Sequence, residues 1–503
     1  MQSPGLRISG IFVTLLLLAG CATAQTDVKK VQTFYPGCDT SAVQALNSVQ
    51  DKDWKTYWTT CATDRQAPEP TLEENLPEKN LDACRLVEAS KERKKYNDSV
   101  TGFPRSDHPF KLTNGKYKIS VVPIEWPDLR GTNDIFTELD EAIAKVNAWY
   151  SIYTRGKVSF EWDLHREWVT LPNSAANYSQ SETLQNTGQW SEDNTKAIDK
   201  FWKSALKASD PTVDFSGTEM VFFILPPQQE TVAEFNLWPP GTGTYLTDEG
   251  PIQRGFTPGS FHFRDGNAVW MFWIHEMLHY FKLPDLYWSD QNSVKQSDFT
   301  LPGPMQEFDI LSNQSGATKS LNGWLMWIAD WANEGELLCL TAETFKPTSF
   351  AIYPNHLTDS SLKSVIVKLS ETSAVVIESR RKTEFDAPRL SRSREGVLVY
   401  HVNTKLGHGE GALTVLAPAG RTLISLQSEQ QSFISLDAIL YEGNSIDIAG
   451  YHITVNRATQ SSDIVSISKN AKFKPGTPAS YVCFTKTNRD LTVPSEVSCP
   501  IAY

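Results

Sequence analysis

The chain is 503 residues long and carries a formal net charge of −12 at pH 7. That acidic balance, with no long basic stripe, argues against a nucleic-acid-binding surface; it favours solubility without identifying a substrate. At roughly 100–200 residues per domain, the length allows about two to four domains.

At the N-terminus, Arg7 precedes the apolar run Ile11 to Ala19 and then small residues, the pattern of an export signal over residues 1–24. The run is too short for an ordinary membrane helix, and no later segment is long enough, so no transmembrane span is expected. Ala22-Thr23-Ala24 fits cleavage before Gln25 and a secreted, extracellular product. Leu18-Ala19-Gly20-Cys21 fits the alternative, a bacterial lipoprotein with a lipid anchor at Cys21. Beyond Cys21 there remain Cys38, Cys61, Cys84, Cys339, Cys483 and Cys499, an even set that suggests up to three disulfides. Cys483 with Cys499 is the easiest local pair, and the other pairings stay open. Asn97, Asn177 and Asn313 begin glycosylation sequons, which matter only in a eukaryotic secretory route.

Residues 25–100 are polar, with a Pro/Glu-rich stretch at 68–79 and a basic cluster, Lys91-Glu92-Arg93-Lys94-Lys95. The segment reads either as a prosegment removed near that cluster or as a permanent subdomain, and pairing of one of its cysteines with Cys339 would favour the second. Residues 101–340 mix strands and helices. Tyr117 to Ile124 and Met220 to Leu225 have strand composition. Thr137 to Tyr150 and Asn194 to Ala208 have helical apolar spacing. Pro239 to Phe261 reads as a long loop suited to a substrate cleft; its Gly241-Thr242-Gly243 is only a fragment of a phosphate-loop pattern. Residues 345–470 read as successive strands, at Ser364–Leu369, Ala374–Ser379, Gly396–Val402, Thr422–Leu426 and His452–Asn456, in the manner of a β-sandwich. A tail at 471–503 follows.

The chemistry concentrates in the helical run Ala268 to Phe281, which contains His275-Glu276-Met277-Leu278-His279. The four-residue spacing sets both imidazoles on one helix face, one turn apart, where they can share a metal ion. Glu276 then lies beside that ion, placed to take a proton from a bound water. Val269, Trp270, Phe272, Trp273, Ile274 and Leu278 make the helix apolar nearly all round, hence central and buried. Burying two imidazoles and a carboxylate together is costly unless a partner such as a metal compensates. Pro284 disfavours helix at Leu283 and so ends the run. Catalytic zinc takes three protein ligands and a water. Asp285 is the third ligand candidate; a helix-terminating surface aspartate and a calcium ligand are its other readings. Glu307 or Asp309 is the runner-up for the third position. His262, His356, His401, His408 and His452 have no metal-like spacing and read as structural or surface residues.

HEMLHYFKLPDLY resembles the HExxHxxGLPDxYD signature of the immune-inhibitor-A family, secreted zinc metallopeptidases of the metzincin type. FDILSNQ (Phe308 to Gln314) resembles that family's WDIMS turn beneath the metal, and SLNGWLMWIADW (Ser320 to Trp331) its following tryptophan-bearing helix. WYSIYTRGKVSF (Trp149 to Phe160) is similar to its helix-to-strand segment, and VVIESRRKTEFD (Val375 to Asp386) with GVLVYHVN (Gly396 to Asn403) to its β-rich segment. The resemblance spans roughly Pro109 to Val455. It implies an α+β chain: a metzincin-like zinc peptidase catalytic domain at 101–340, followed by an all-β, sandwich-like domain at 345–470. It also implies Zn2+ held by His275, His279 and Asp285, with Glu276 as catalytic general base in the hydrolysis of protein or peptide substrates. Structural Ca2+ is the second cofactor admitted.

Two positions depart from the pattern. Lys282 replaces a glycine whose positive φ would turn the chain off the helix, and Leu311 replaces the turn methionine, a near-equal volume. Lys282 keeps open the alternative of a catalytically inactive relative that binds extracellular protein or glycan. A zinc hydrolase acting on another amide is a third reading.

Overall fold

A computed structural model of the chain describes residues 80–90, 100–104, 113–179, 192–228, 245–252, 255–256, 269–287, 303–313, 318–386, 395–421, 423–427, 432–459, 461–470 and 481–483. The export signal, Cys21, Cys38, Cys61, Cys499, the 91–95 cluster, Asn97, His262, Gly241 to Gly243 and most of the 471–503 tail lie outside the described residues. Those described form a mixed α/β fold with a few helices, several sheets and no closed barrel. Among them no helix is long and apolar enough to cross a membrane.

The first half is a parallel sheet with helices. Its elements run β1 (Gly115–Glu125), α1 (Ile135–Tyr153), β2 (Val158–Leu164), β3 (Val169–Thr170), α2 (Glu192–Ser209) and β4 (Thr218–Ile224). After these come β5 (Tyr245–Thr247), β6 (Gly250–Ile252), β7 (Gly255–Phe256), α3 (Val269–Tyr280) and α4 (Gly323–Ile328). β1 is central, pairing in parallel with β2, β3 and β4, and β7 lies beyond β4. Such parallel pairs need long crossovers, and α1 and α2 supply them. Side chains alternate across the sheet. Ile119 and Val121 with Met220 and Phe222 therefore face a core shared with α1, α3 and α4, whereas Val122, Val221 and Phe223 face α2. In the stretch read as a loop, Pro239 to Phe261, the described part holds the β5–β6 hairpin and β7. Strands of two or three residues interrupted by Gly and Pro are too short to show alternation.

The second half contains β8 (Leu337–Leu340), β9 (Thr348–Ile352), β10 (Ser364–Ser370), β11 (Ser373–Arg380), β12 (Gly396–Asn403) and β13 (Leu413–Pro418). It continues with β14 (Leu423–Gln427), β15 (Ser432–Leu436), β16 (Ser445–Ile448), β17 (Tyr451–Ala458), β18 (Asp463–Lys469) and β19 (Tyr481–Val482). One sheet is ordered β19-β13-β12-β11-β10-β8, a second β16-β17-β18-β9, and β14 and β15 form a separate antiparallel pair. All of β11 is buried because each face has a partner. Val375 and Ile377, with Val397 and Val399 of β12, pack toward the four-stranded sheet; Val376, Leu398 and Tyr400 pack into the core of α1 and α3. The six-stranded sheet is thus the middle layer between the helices and the second sheet.

Residues 80–90 and 100–104 strap the two halves together. Cys84 is disulfide-bonded to Cys339 in β8, across a separation of 255 residues. Val87 N–H donates to Glu371 O at 2.8 Å and Ala89 N–H to Thr404 O at 3.0 Å. The Glu88 carboxylate collects the N–H groups of Ser90, Thr101 and Gly102 at 2.6–2.9 Å. Scission in the 91–95 cluster would therefore leave residues 80–90 covalently attached to β8. Cys483 is also disulfide-bonded.

Replacing Cys84 and Cys339 together by serine lowers stability by about 2–5 kcal/mol, read from urea unfolding. His401, buried in β12 with its Nε2 2.7 Å from Ser373 Oγ, has its pKa lowered by burial from 6.5 to about 4. Its stabilising contribution is complete above pH 6.5 and is lost as pH falls toward about 4, a change of about 3 kcal/mol. His401→Gln flattens that part of the stability–pH curve; an unchanged slope would contradict the assignment.

Candidate metal centre

α3 is the central helix anticipated from its apolar surround. Trp273, Ile274, Met277 and Leu278 are fully buried. The Trp273 indole stacks on Trp162 at 5.7 Å and meets Phe222 edge-on at 5.1 Å. This packing fixes the opposite face, where the His275 and His279 rings lie 4.9 Å apart and perpendicular.

The helix ends in a left-handed turn. Leu283 N–H donates to Leu278 O at 3.3 Å and Lys282 N–H to His279 O at 2.9 Å, the paired bonds of a Schellman cap. Lys282 occupies the position that glycine favours, with φ 66°, at a cost of about 1–2 kcal/mol for a residue with a Cβ. The turn is made in spite of the lysine, and Val100 N–H holds its carbonyl at 3.1 Å. Two residues beyond Pro284, Leu286 N–H donates to Leu311 O at 2.9 Å. Leu311 is fully buried in the segment where the methionine turn was expected.

These turns bring Asp285 back to the helix. Asp285 is buried, and its Oδ1 lies 3.1 Å from both His275 Nε2 and His279 Nε2. The other ring nitrogens are tied to main chain, His275 Nδ1 to Ile310 O and His279 Nδ1 to Leu283 O, each at 2.8 Å. A carbonyl oxygen only accepts, so each Nδ1 carries the hydrogen and each neutral ring presents its lone pair at Nε2. Two lone pairs and a carboxylate oxygen thus converge, and that oxygen, Oδ1, receives no aligned hydrogen bond. Such a donor set fits a metal ion, with the main-chain carbonyls as the outer partners that orient metal-binding histidines. The three ligand atoms lie within 4.8 Å of one another.

Electrostatics point the same way. Burial would lower the His279 pKa, but the Asp285 and Glu276 charges and the hydrogen bond to Leu283 O raise it to about 9. His275 is likewise raised, by Asp285 and Glu276 against burial. The site therefore attracts positive charge. Glu276 is buried beside these groups; desolvation and Asp285 raise its pKa, while the two imidazoles oppose the rise. Tyr287 lies parallel to His275 at a ring distance of 6.3 Å. Desolvation, the Asp285 and Glu276 charges and a hydrogen bond to Asp285 hold its phenol well above its ordinary range.

The runner-up ligands go elsewhere. Asp309 accepts from Leu311 N–H at 2.8 Å and from Asn322 N–H and Nδ2–H at 2.8 and 2.7 Å. Its burial raises its pKa to about 6. Glu307 accepts from Ser435 Oγ. Of the histidines read as structural or surface, His408 instead meets Asp285, with Nε2 at 3.1 Å from Oδ2. It lies 123 residues past Asp285 on another element, where no local spacing could reveal it; the only signal is its place in a glycine-rich stretch between two strand patterns.

No protein-family model matches the chain, and no curated protein matches it either.

Asp309→Ala strands three buried donors at about 1 kcal/mol each. Loss of about 3 kcal/mol in urea unfolding is expected; a change under about 1 kcal/mol would show that these bonds do not carry the turn.

Proposed function

We propose that the chain is an exported zinc metalloendopeptidase, a metzincin-type relative of the immune-inhibitor-A family, with its catalytic centre on α3 and its β-sheets as a sandwich-like support. The observation that carries this reading is the buried Asp285 Oδ1, 3.1 Å from two Nε2 atoms whose tautomers are set by main-chain carbonyls. Three such ligands leave a position open for water, and imidazole with carboxylate suits zinc. When bound, zinc supplies a water of pKa about 7 and polarises a scissile carbonyl.

The remaining chemistry belongs to the chain. Glu276 takes the proton of the attacking water and passes it to the leaving amine; its raised pKa suits a base that must also act as an acid. His275 and His279 stay oriented because Ile310 O and Leu283 O hold them. Tyr287, whose phenol bonds to Asp285, stands on the partly exposed side of the site and helps to hold that carboxylate. Export rests on the pattern at 1–24, and the disulfides at Cys84–Cys339 and Cys483 suit an oxidising compartment. The reading as an inactive binding relative draws on Lys282; the turn made with that lysine in place and Asp285 beside both histidines support the active reading instead.

The test is hydrolysis of an unstructured protein such as casein by the purified exported form, with zinc quantified on the same sample. About one zinc per chain is expected, together with cleavage that falls about 10²–10⁴-fold in Glu276→Gln while zinc content is retained. A zinc-free, inactive wild type would sink the proposal; stoichiometric zinc without proteolysis would move it to another amide.

A further inference from the structure

The β12–β13 connection, residues 404–412, reaches the metal centre from the middle sheet. Asp285 N–H donates to His408 Nδ1 at 3.2 Å, and His408 Nε2 lies 3.1 Å from Asp285 Oδ2. Because Nδ1 accepts, the neutral ring carries its hydrogen on Nε2, the nitrogen that lies against Oδ2. One imidazole therefore holds both the main chain and the side chain of Asp285. Gly409 N–H adds a third grip, on Asp285 O at 3.1 Å. With Oδ2 so engaged, Oδ1 is the oxygen left to face His275 and His279.

We propose that His408 is a positioning residue that orients the Asp285 carboxylate for metal binding, an inference that rests on the metal-site reading above. It is not a fourth ligand, since one ring nitrogen accepts from main chain and the other carries the ring hydrogen and lies against Oδ2. Its own loop is internally braced. Leu406 N–H donates to Asn403 O and Glu410 N–H to Gly407 O, both at 3.1 Å, while Gly407 N–H reaches Glu410 Oε2 at 2.8 Å. Thr101 Oγ1–H donates to Leu406 O at 3.0 Å, tying the loop to the N-terminal strap. The His408 side chain is 30% exposed, so truncating it opens no core cavity. Outer partners of this kind typically change metal affinity 10–100-fold.

The experiment measures zinc affinity of the metal-stripped full chain by competition with a chromophoric chelator, with thermal unfolding of the stripped proteins as a check on folding. His408→Ala and His408→Asn are expected to bind zinc about 10–100-fold more weakly. His408→Gln, whose amide N–H can reach Oδ2, recovers part of that loss. Asn can accept the Asp285 N–H but cannot reach the carboxylate, so Asn and Gln separate loop bracing from carboxylate orientation. Wild-type affinity in His408→Ala, or full rescue by Asn, overturns the assignment while leaving the metal site standing. A wild type that binds no zinc, or an Asp285→Ala variant with undiminished affinity, overturns the metal reading and this inference with it. If His408→Ala does not fold, the Asn and Gln pair decides alone.

Discussion

Leu283 N–H can reach Leu278 O, and Lys282 N–H can reach His279 O, only if Lys282 adopts its positive φ of 66°. That single conformation does two things at once. It reverses the chain so that Asp285 returns to the helix face bearing His275 and His279, and it turns Leu283 O toward His279 Nδ1. A straight continuation of α3 would carry Asp285 away and leave the His279 ring without its orienting acceptor. The strain of a lysine in this region is of the order of one hydrogen bond. Val100 N–H on Lys282 O and Gly409 N–H on Asp285 O are supports of comparable size.

Those supports come from opposite ends of the sequence, which explains the layered build. The six-stranded sheet could have been a separate module, but Val376, Leu398 and Tyr400 on its inner face share a core with α1, α3 and α4. The Cys84–Cys339 link and the bonds of Val87 and Ala89 fix the N-terminal strap to the same sheet. The Trp324 indole closes the circuit, donating to Thr101 O at 2.9 Å from within α4. The chain around Asp285 is therefore braced by main-chain groups that cannot shift without moving a sheet or a disulfide. Tight orientation of ligands is what a metal site requires.

Much of this was legible in the sequence because it is local. The periodicity of 137–150 and 194–208 corresponds to α1 and α2, the β-branched run at 117–124 to β1, and the apolar 268–281 to α3. The four-residue spacing of the histidines and the proximity of Asp285 are also local, and the structure brings these three together. What was hidden is non-local or conflicts with propensity. His408 meets Asp285 across 123 residues, and Cys84 meets Cys339 across 255. No periodicity encodes such pairs. Lys282 looked like an obstacle because intrinsic preference, read alone, omits the tertiary bonds that over-determine the turn. Asp309 and Glu307 looked like ligands because an acidic residue shows its charge in a sequence but not its direction; their oxygens serve Asn322, Leu311 and Ser435.

The charges in the site follow from its burial. Isolated ions in such surroundings are penalised by several kcal/mol each, so the group must approach neutrality in whichever form it takes. With Asp285 and Glu276 ionised and both rings neutral, the four side chains carry −2. A divalent cation cancels this, and so do two protons, one on each imidazole. The proton-filled form asks each Nε2–H to share Oδ1, an oxygen that receives no aligned hydrogen bond, whereas a metal ion needs only the lone pairs that the Nδ1 tautomers already expose. Protons and metal therefore compete for the same atoms, and filling the site with metal must release protons. The Asp285 and Glu276 charges raise the pKa values of His275 and His279 against burial, the direction expected of a pocket that draws positive charge. The geometry of Oδ1 favours an ion that can sit among all three ligands at once.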